Sequence, residues 1–186
     1  MNQNWKAQSS LGILLAMSGA TAAFATDFSK YALGTTGAQF LELPVGARAI
    51  AMGTAQGAVA QDSTALYYNP AGLAGAKGGD INLMHAVYFQ DISYQYGAVA
   101  QRMGDGGTIA AGLQYLSPGS IGEIDNTGTL SGTSFQPHDM AATLGYGQSL
   151  GFIDYGLGVK YISSKIYDSA WTYAGDFGSL RRFRAT

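Results

Sequence analysis

From Asp80 onward, apolar residues recur at every second position. In residues 107–116 the odd positions Ile109, Ala111, Leu113 and Tyr115 are apolar, while Thr108, Ala110, Gly112 and Gln114 are small or polar. Residues 139–148 repeat the pattern, with Met140, Ala142, Leu144 and Tyr146 set against Ala141, Thr143, Gly145 and Gly147. In residues 153–161 the apolar set is Ile153, Tyr155, Leu157, Val159 and Tyr161, against Asp154, Gly156, Gly158 and Lys160. A period of two predicts strands with two unlike faces. Less regular runs at 81–89, 92–102 and 172–180 are the other expected strands. The second face, mostly Gly, Ala and Thr, is too bare for a soluble exterior. It fits a wall strand of a membrane barrel, whose lipid-facing residues alternate with small or polar lumen-facing ones. Runs of about ten residues also match the length of a tilted membrane strand.

The connections add a direction. Residues 103–107 (MGDGG) and 149–153 (SLGFI) predict tight turns, and residues 117–138 predict a long polar loop. Outer-membrane barrels keep their short turns on the periplasmic side and their long loops outside, so both tight turns are expected inside. The hairpin at Gln90-Asp91 departs from this order, because it belongs outside and is short. His85 falls among Ile81, Leu83, Val87 and Phe89, which predicts partial cover of that strand by protein.

The start of the chain reads differently. Lys6, the apolar stretch at 11–17 (LGILLAM) and Ala23-Phe24-Ala25 fit a cleavable secretory signal over residues 1–25. No run approaches the ~20 apolar residues of a spanning helix, so any crossing is by strands. Charged residues make up 12 % of the chain, about half the usual ~25 %. A soluble domain so poor in charge disperses badly, and a disordered one has fewer aromatics. The net charge of −2 and the lack of a basic stripe argue against nucleic-acid binding. With no Cys there are no disulfides and no thiol chemistry.

Residues 26–79 are neither signal nor strand and predict a partly helical hatch, followed by barrel wall over residues 80–186. Asn69-Pro70 is a good helix start, with Asn capping and Pro where its missing N–H costs nothing. Asp62-Ser63 is a candidate for an earlier one. Gly46, Gly53 and Gly57 allow close backbone approach or positive φ. Arg48 is the single cation in an apolar run, and burial there requires a partner such as Asp62 or Glu42. Capping and glycine packing already account for every one of these residues, which favours packing of the plug over a direct ligand role.

The stretch 46–75 also resembles the N-terminal region of the PorV/PorQ family, a branch of the barrels built like the FadL-type fatty-acid transporter. Gly46-Ala47-Arg48, Ala51-Met52-Gly53, Asp62 and Tyr68-Asn69-Pro70-Ala71-Gly72-Leu73 carry the resemblance. It implies an all-β, antiparallel outer-membrane barrel with an N-terminal hatch, in contact with outer-membrane lipid. PorV-type members serve type IX secretion, holding cargo proteins at the cell surface with the secretion machinery. FadL-type relatives pass hydrophobic small molecules, and a purely structural barrel is a third option. No cofactor, metal or catalysis is implied.

One enzyme motif is present. Gly147-Gln148-Ser149-Leu150-Gly151 fits the G-x-S-x-G elbow, but it bridges two strands, and both His85 and His138 precede it, contrary to that motif's context. Glu123, Asp125 and Asn126 lack the spacing of a calcium loop. At about ten residues per strand, the wall has five or six strands, whereas single-chain barrels close with eight or more. The basic tail Arg181-Arg182-Phe183-Arg184 replaces a terminal aromatic strand. A truncated member of the family is therefore expected.

Overall fold

The computed structural model describes residues 38–124, 128–166 and 169–181. The proposed signal segment lies outside them. Eight strands follow four short helical segments: β1 (Gly79–Val87), β2 (Ser93–Arg102), β3 (Thr108–Ser117), β4 (Ile121–Ile124), β5 (Leu130–Phe135), β6 (His138–Ser149), β7 (Asp154–Lys165) and β8 (Ser169–Leu180). Six of them form one antiparallel sheet in the order β1-β2-β3-β6-β7-β8, and β4-β5 is a separate hairpin. The expected runs at 81–89, 92–102, 107–116, 139–148, 153–161 and 172–180 are these six strands, shifted or extended by a few residues. Among the described residues β1 and β8 pair with no further strand, so the sheet has two edges.

The polar stretch 117–138, expected as a loop, holds the β4-β5 hairpin instead. Its alternation is invisible because neither face is covered: Ile121 and Ile124 are both exposed. The register also slips between Gly122 and Ile124.

Register fixes two faces across the large sheet. On the inner face Asp80, Ala100, Ala110, Gly145, Gly158 and Asp176 lie in one row. The next row outward along the strands is Arg102, Thr108, Gly147, Gly156 and Gly178. On the opposite face Ile81, Val99, Leu144 and Val159 are exposed at 70, 48, 63 and 65 %. Such values for four aliphatic side chains in one row mean that nothing among the described residues covers that face. The alternation therefore does not mark a buried core; the greasy side is the open one.

The inner face is covered by residues 38–77. A 3-10 turn at Gln39–Glu42 precedes α1 (Ala47–Ala51), α2 (Ala65–Tyr68) and a second 3-10 segment at Pro70–Gly75. Phe40 packs on Ala141 and Ile162, and Val45 on Tyr94, Tyr96 and Ala98. Leu66 and Leu73 lie with Ala100 and Ala110. No helix among the described residues is long and apolar enough to cross a membrane.

The tight turns form as expected. Between β2 and β3, the Met103 amide donates to the Gly107 carbonyl at 2.7 Å, and Gly107 has φ +89°. A side chain there is doubly excluded, since its Cβ would lie 2.7 Å from the Gly147 carbonyl oxygen. Between β6 and β7, the Leu150 amide donates to Ile153 at 2.9 Å. Gln90 and Asp91, between β1 and β2, both take positive φ, which makes that hairpin as short as the sequence suggested.

Candidate functional site

The candidate site is the seat of the helical layer on the sheet. Asn69 stands in extended conformation before the 3-10 segment, with Pro70 at its first position. The Asn69 Oδ1 accepts from the Ala71 amide at 3.1 Å, and its Nδ2 donates to the Gly57 carbonyl at 3.0 Å. One side chain thus caps a helical start and ties down the preceding loop. Pro70, Ala71 and Gly72 are buried beneath that loop. Gly72 is needed because a Cβ there would run into the Ala60 carbonyl oxygen.

Beneath this segment the sheet is paved with glycine. A Cβ on Gly156 would overlap the Pro70 carbonyl and the Ala71 nitrogen, and one on Gly178 would overlap the Asn69 Oδ1. On Gly147 it would lie 2.7 Å from the Leu73 Cβ and 2.8 Å from the Pro70 oxygen. These three glycines stand in one cross-strand row. Backbone therefore rests on backbone, a distance that only glycine permits. A row back, the space above Gly145 is taken by the Leu66 side chain.

Polar contacts fix the layer at its rim. Asp80, near the start of edge strand β1, accepts from both the amide and the hydroxyl of Ser63, at 2.8 and 2.5 Å. Arg102 Nη1 donates to the carbonyls of Ala74 and Ala76, each at 3.1 Å. A cation here meets the unpaired carbonyls at the end of a helical segment, where it is favourable. Gln114 donates to the Tyr94 hydroxyl at 2.9 Å, which in turn donates to the Leu43 carbonyl at 3.2 Å. On the same face Lys160 and Asp176 pair at 3.2 Å between β7 and β8.

The remaining sequence-derived residues divide. Gly46, buried at the start of α1, takes φ +81°, and Gly53 takes φ +63°; Gly57 needs no special φ. Asp62 caps locally, accepting from the amide and hydroxyl of Thr64. It is not the partner of Arg48. Arg48 is exposed on α1, and no ion pair to Asp62 or Glu42 occurs among the described residues. The expectation of a buried, paired Arg48 is thus corrected: α1 turns its Ala49 side inward and leaves Arg48 in the open, where a cation needs no partner. Met52 is exposed as well. Only Asn69, Pro70, Ala71 and Gly72 gather at the seat.

Sequence reasoning missed Asp80, Arg102 and the receiving glycines. The signal was there in part: Asp80 and Arg102 are charged residues at inner-facing positions of alternating strands. The elbow serine, Ser149, accepts from the Gly151 amide at 3.4 Å in its own turn. His138 begins the strand that Ser149 ends, about 35 Å away at ~3.3 Å per residue.

Two tyrosines make the layer sensitive to alkali. The Tyr67 hydroxyl donates to the Leu41 carbonyl and the Tyr68 hydroxyl to that of Val45, both at 2.8 Å. Burial raises the pKa of each, and for Tyr67 the neighbouring Tyr94, Tyr68 and Glu42 add to it. A raised folded-state value means stability is intact below the ordinary tyrosine pKa of about 10 and declines as pH rises above it. We expect absorbance titration to show these phenols resisting ionisation past that pH, then ionising as the layer detaches. Ionisation of every tyrosine at the ordinary value, with the layer still docked, would contradict this assignment.

The Asn69 contacts predict a smaller effect. Asn69→Ala loses a cap worth about 1 kcal/mol, together with the tie to Gly57, and the loop at 53–60 becomes readily cleaved by protease. An unchanged cleavage pattern would show the cap to be dispensable. No known protein-family model matches this chain, and no curated protein matches it.

Proposed function

We propose that this chain is a plug-bearing wall of an outer-membrane β-barrel of PorV/PorQ type, acting in type IX secretion-related protein traffic at the cell surface. The observation that supports it best is the division of the sheet's two faces. Strands of 9 to 12 residues turn an exposed apolar face outward and keep the small-residue face under a helical layer. In water an apolar face of that extent is a liability; in a bilayer it is the required exterior.

Aromatic residues support the same reading. Trp171, Tyr173 and Tyr161 cluster to one side of the Leu144–Val159 row on the outer face, with the Trp171 and Tyr173 rings 5.7 Å apart. Near the other end Tyr146 and Tyr155 share the Gln148 side chain as hydrogen-bond acceptor. Two aromatic girdles flanking an aliphatic band belong at the two membrane interfaces. In such a wall β1 and β8 meet neighbouring strands, since open edges do not persist in hydrocarbon. The secretion role rests on the resemblance of residues 46–75.

Fractionation tests the location: the protein is expected in the outer membrane, with a mature end near Thr26. Recovery as a soluble protein would overturn the proposal. A pull-down from the native envelope tests the role. Co-purified secretion components or cargo support it, and bound lipid without them favours a porter for hydrophobic small molecules.

A further inference from the structure

The outer face of the sheet carries a furrow that the wall itself does not require, running along β1, β2 and β3, with its middle hollow reaching across β6 and β7 to β8. Three hollows of about 600, 810 and 430 Å³ succeed one another along it. The first two share Val99, Ala111 and Leu144, and the second and third share Leu83, Gly97 and Leu113. They join into one track because small residues, Gly97 and Ala111, alternate with the large ones. Along β2 the track runs from Gln101 to Gln95, about 20 Å at ~3.3 Å per residue.

Its two ends differ in chemistry from its middle. On β1 to β3 the middle is walled by Leu83, Val99, Ala111 and Leu113, with Lys160, Tyr161 and Tyr173 on its β7–β8 side, whereas the far hollow adds His85, Gln95 and Tyr115. His85 and Gln95 sit opposite each other on β1 and β2, with Gln95 Nε2 3.5 Å from His85 Nδ1. An imidazole among lipid-facing positions is costly unless something polar meets it. A long apolar track ending in hydrogen-bonding side chains is shaped for an amphiphile.

We propose that this furrow is a lipid site, holding one acyl chain of a membrane phospholipid against Gly97 and Ala111, with its phosphate-bearing head at His85, Gln95 and Tyr115. The site rests on the membrane reading above and goes beyond it, because a bare wall binds no lipid in preference to others. It also gives His85 an occupant other than protein.

The test uses the full chain mixed with phosphatidylethanolamine vesicles containing a small fraction of phosphatidylethanolamine spin-labelled on its acyl chain. Flotation reports membrane association, and the motionally restricted spectral component reports occupancy of the furrow. The wild type is expected to float and to show that component. Gly97→Phe fills the track and is expected to weaken retention about tenfold, or ~1.4 kcal/mol. Leu157→Phe, on the same face outside the furrow, leaves retention unchanged. His85→Ala with Gln95→Ala alters one exposed and one half-buried side chain, neither in the core, and is expected to release the head group, again weakening retention. Failure of the wild type to float overturns the membrane reading and the site with it. Flotation without a restricted component overturns the site alone, as does a floating Gly97→Phe that retains the lipid. Displacement by free stearate but not by excess phosphatidylethanolamine would assign the furrow to a free fatty acid and refute the phospholipid.

Discussion

Gly156→Ala is expected to lift the helical layer off the sheet. The added methyl would occupy the space of the Pro70 carbonyl and the Ala71 nitrogen, both backbone atoms. A flexible side chain can swing aside from an intruding methyl, but a capped 3-10 segment cannot, because Asn69 and Pro70 hold its start. Overpacking usually costs about 1–3 kcal/mol, and contact with fixed backbone belongs at the upper end of that range. Thermal unfolding should fall accordingly, and the loop at 53–60 should become open to protease while the sheet persists. Gly158→Ala is the matched control. Its Cβ would lie 3.5 Å from the Asp176 side chain and 3.8 Å from the Leu144 carbonyl oxygen, both ordinary contacts. Equal behaviour of the two variants would show that the layer does not depend on the glycine floor.

That result bears on what the sequence could reveal. The six long strands were legible because one face is aliphatic and the other is not, so alternation survives over whole strands. The same contrast hid the reason for the glycines. Read as lumen-facing small residues, Gly147, Gly156 and Gly178 look like filler, yet each is a contact with one particular segment. Nothing local in the sequence links position 156 to position 70, because the link exists only once the register of β6, β7 and β8 is set. Asn69-Pro70, by contrast, was legible from capping chemistry alone, since a cap is made with neighbours two residues away.

Arg48 and Asp80 illustrate the opposite errors. A cation in an apolar run suggested burial with a partner, but α1 is only five residues long and has one buried position, Ala49. Composition around a residue does not determine which way a short helix faces. Asp80 was given no role from the sequence, whereas it is the acceptor that holds Ser63. Strand polarity placed it on the inner face, but the length of chain between Ser63 and Asp80 concealed the pairing. The β4-β5 hairpin was lost for a simpler reason, because strands exposed on both sides carry no periodic signal.

Leu144→Arg is expected to separate the two environments open to the outer face. Leu144 lies in the row of Ile81, Val99 and Val159, near the middle of the aliphatic band, and is 63 % exposed. If that face met water, an exposed Leu→Arg change would alter stability by no more than about 0.5 kcal/mol. Facing the middle of a bilayer, the same change costs about 2–4 kcal/mol. The variant is therefore expected to fold poorly into vesicles, with reduced yield of protease-resistant, membrane-associated protein. Gln101→Arg provides the comparison, because that position is already polar and lies at the end of the band, where the cost falls to about 0–1 kcal/mol. Refolding both variants into the same vesicles and measuring unfolding in denaturant gives the difference directly. A Leu144→Arg protein as stable as Gln101→Arg would mean that the aliphatic band does not face hydrocarbon. The outer face would then need a protein cover, and the assignment of this sheet to a membrane wall would fall with it.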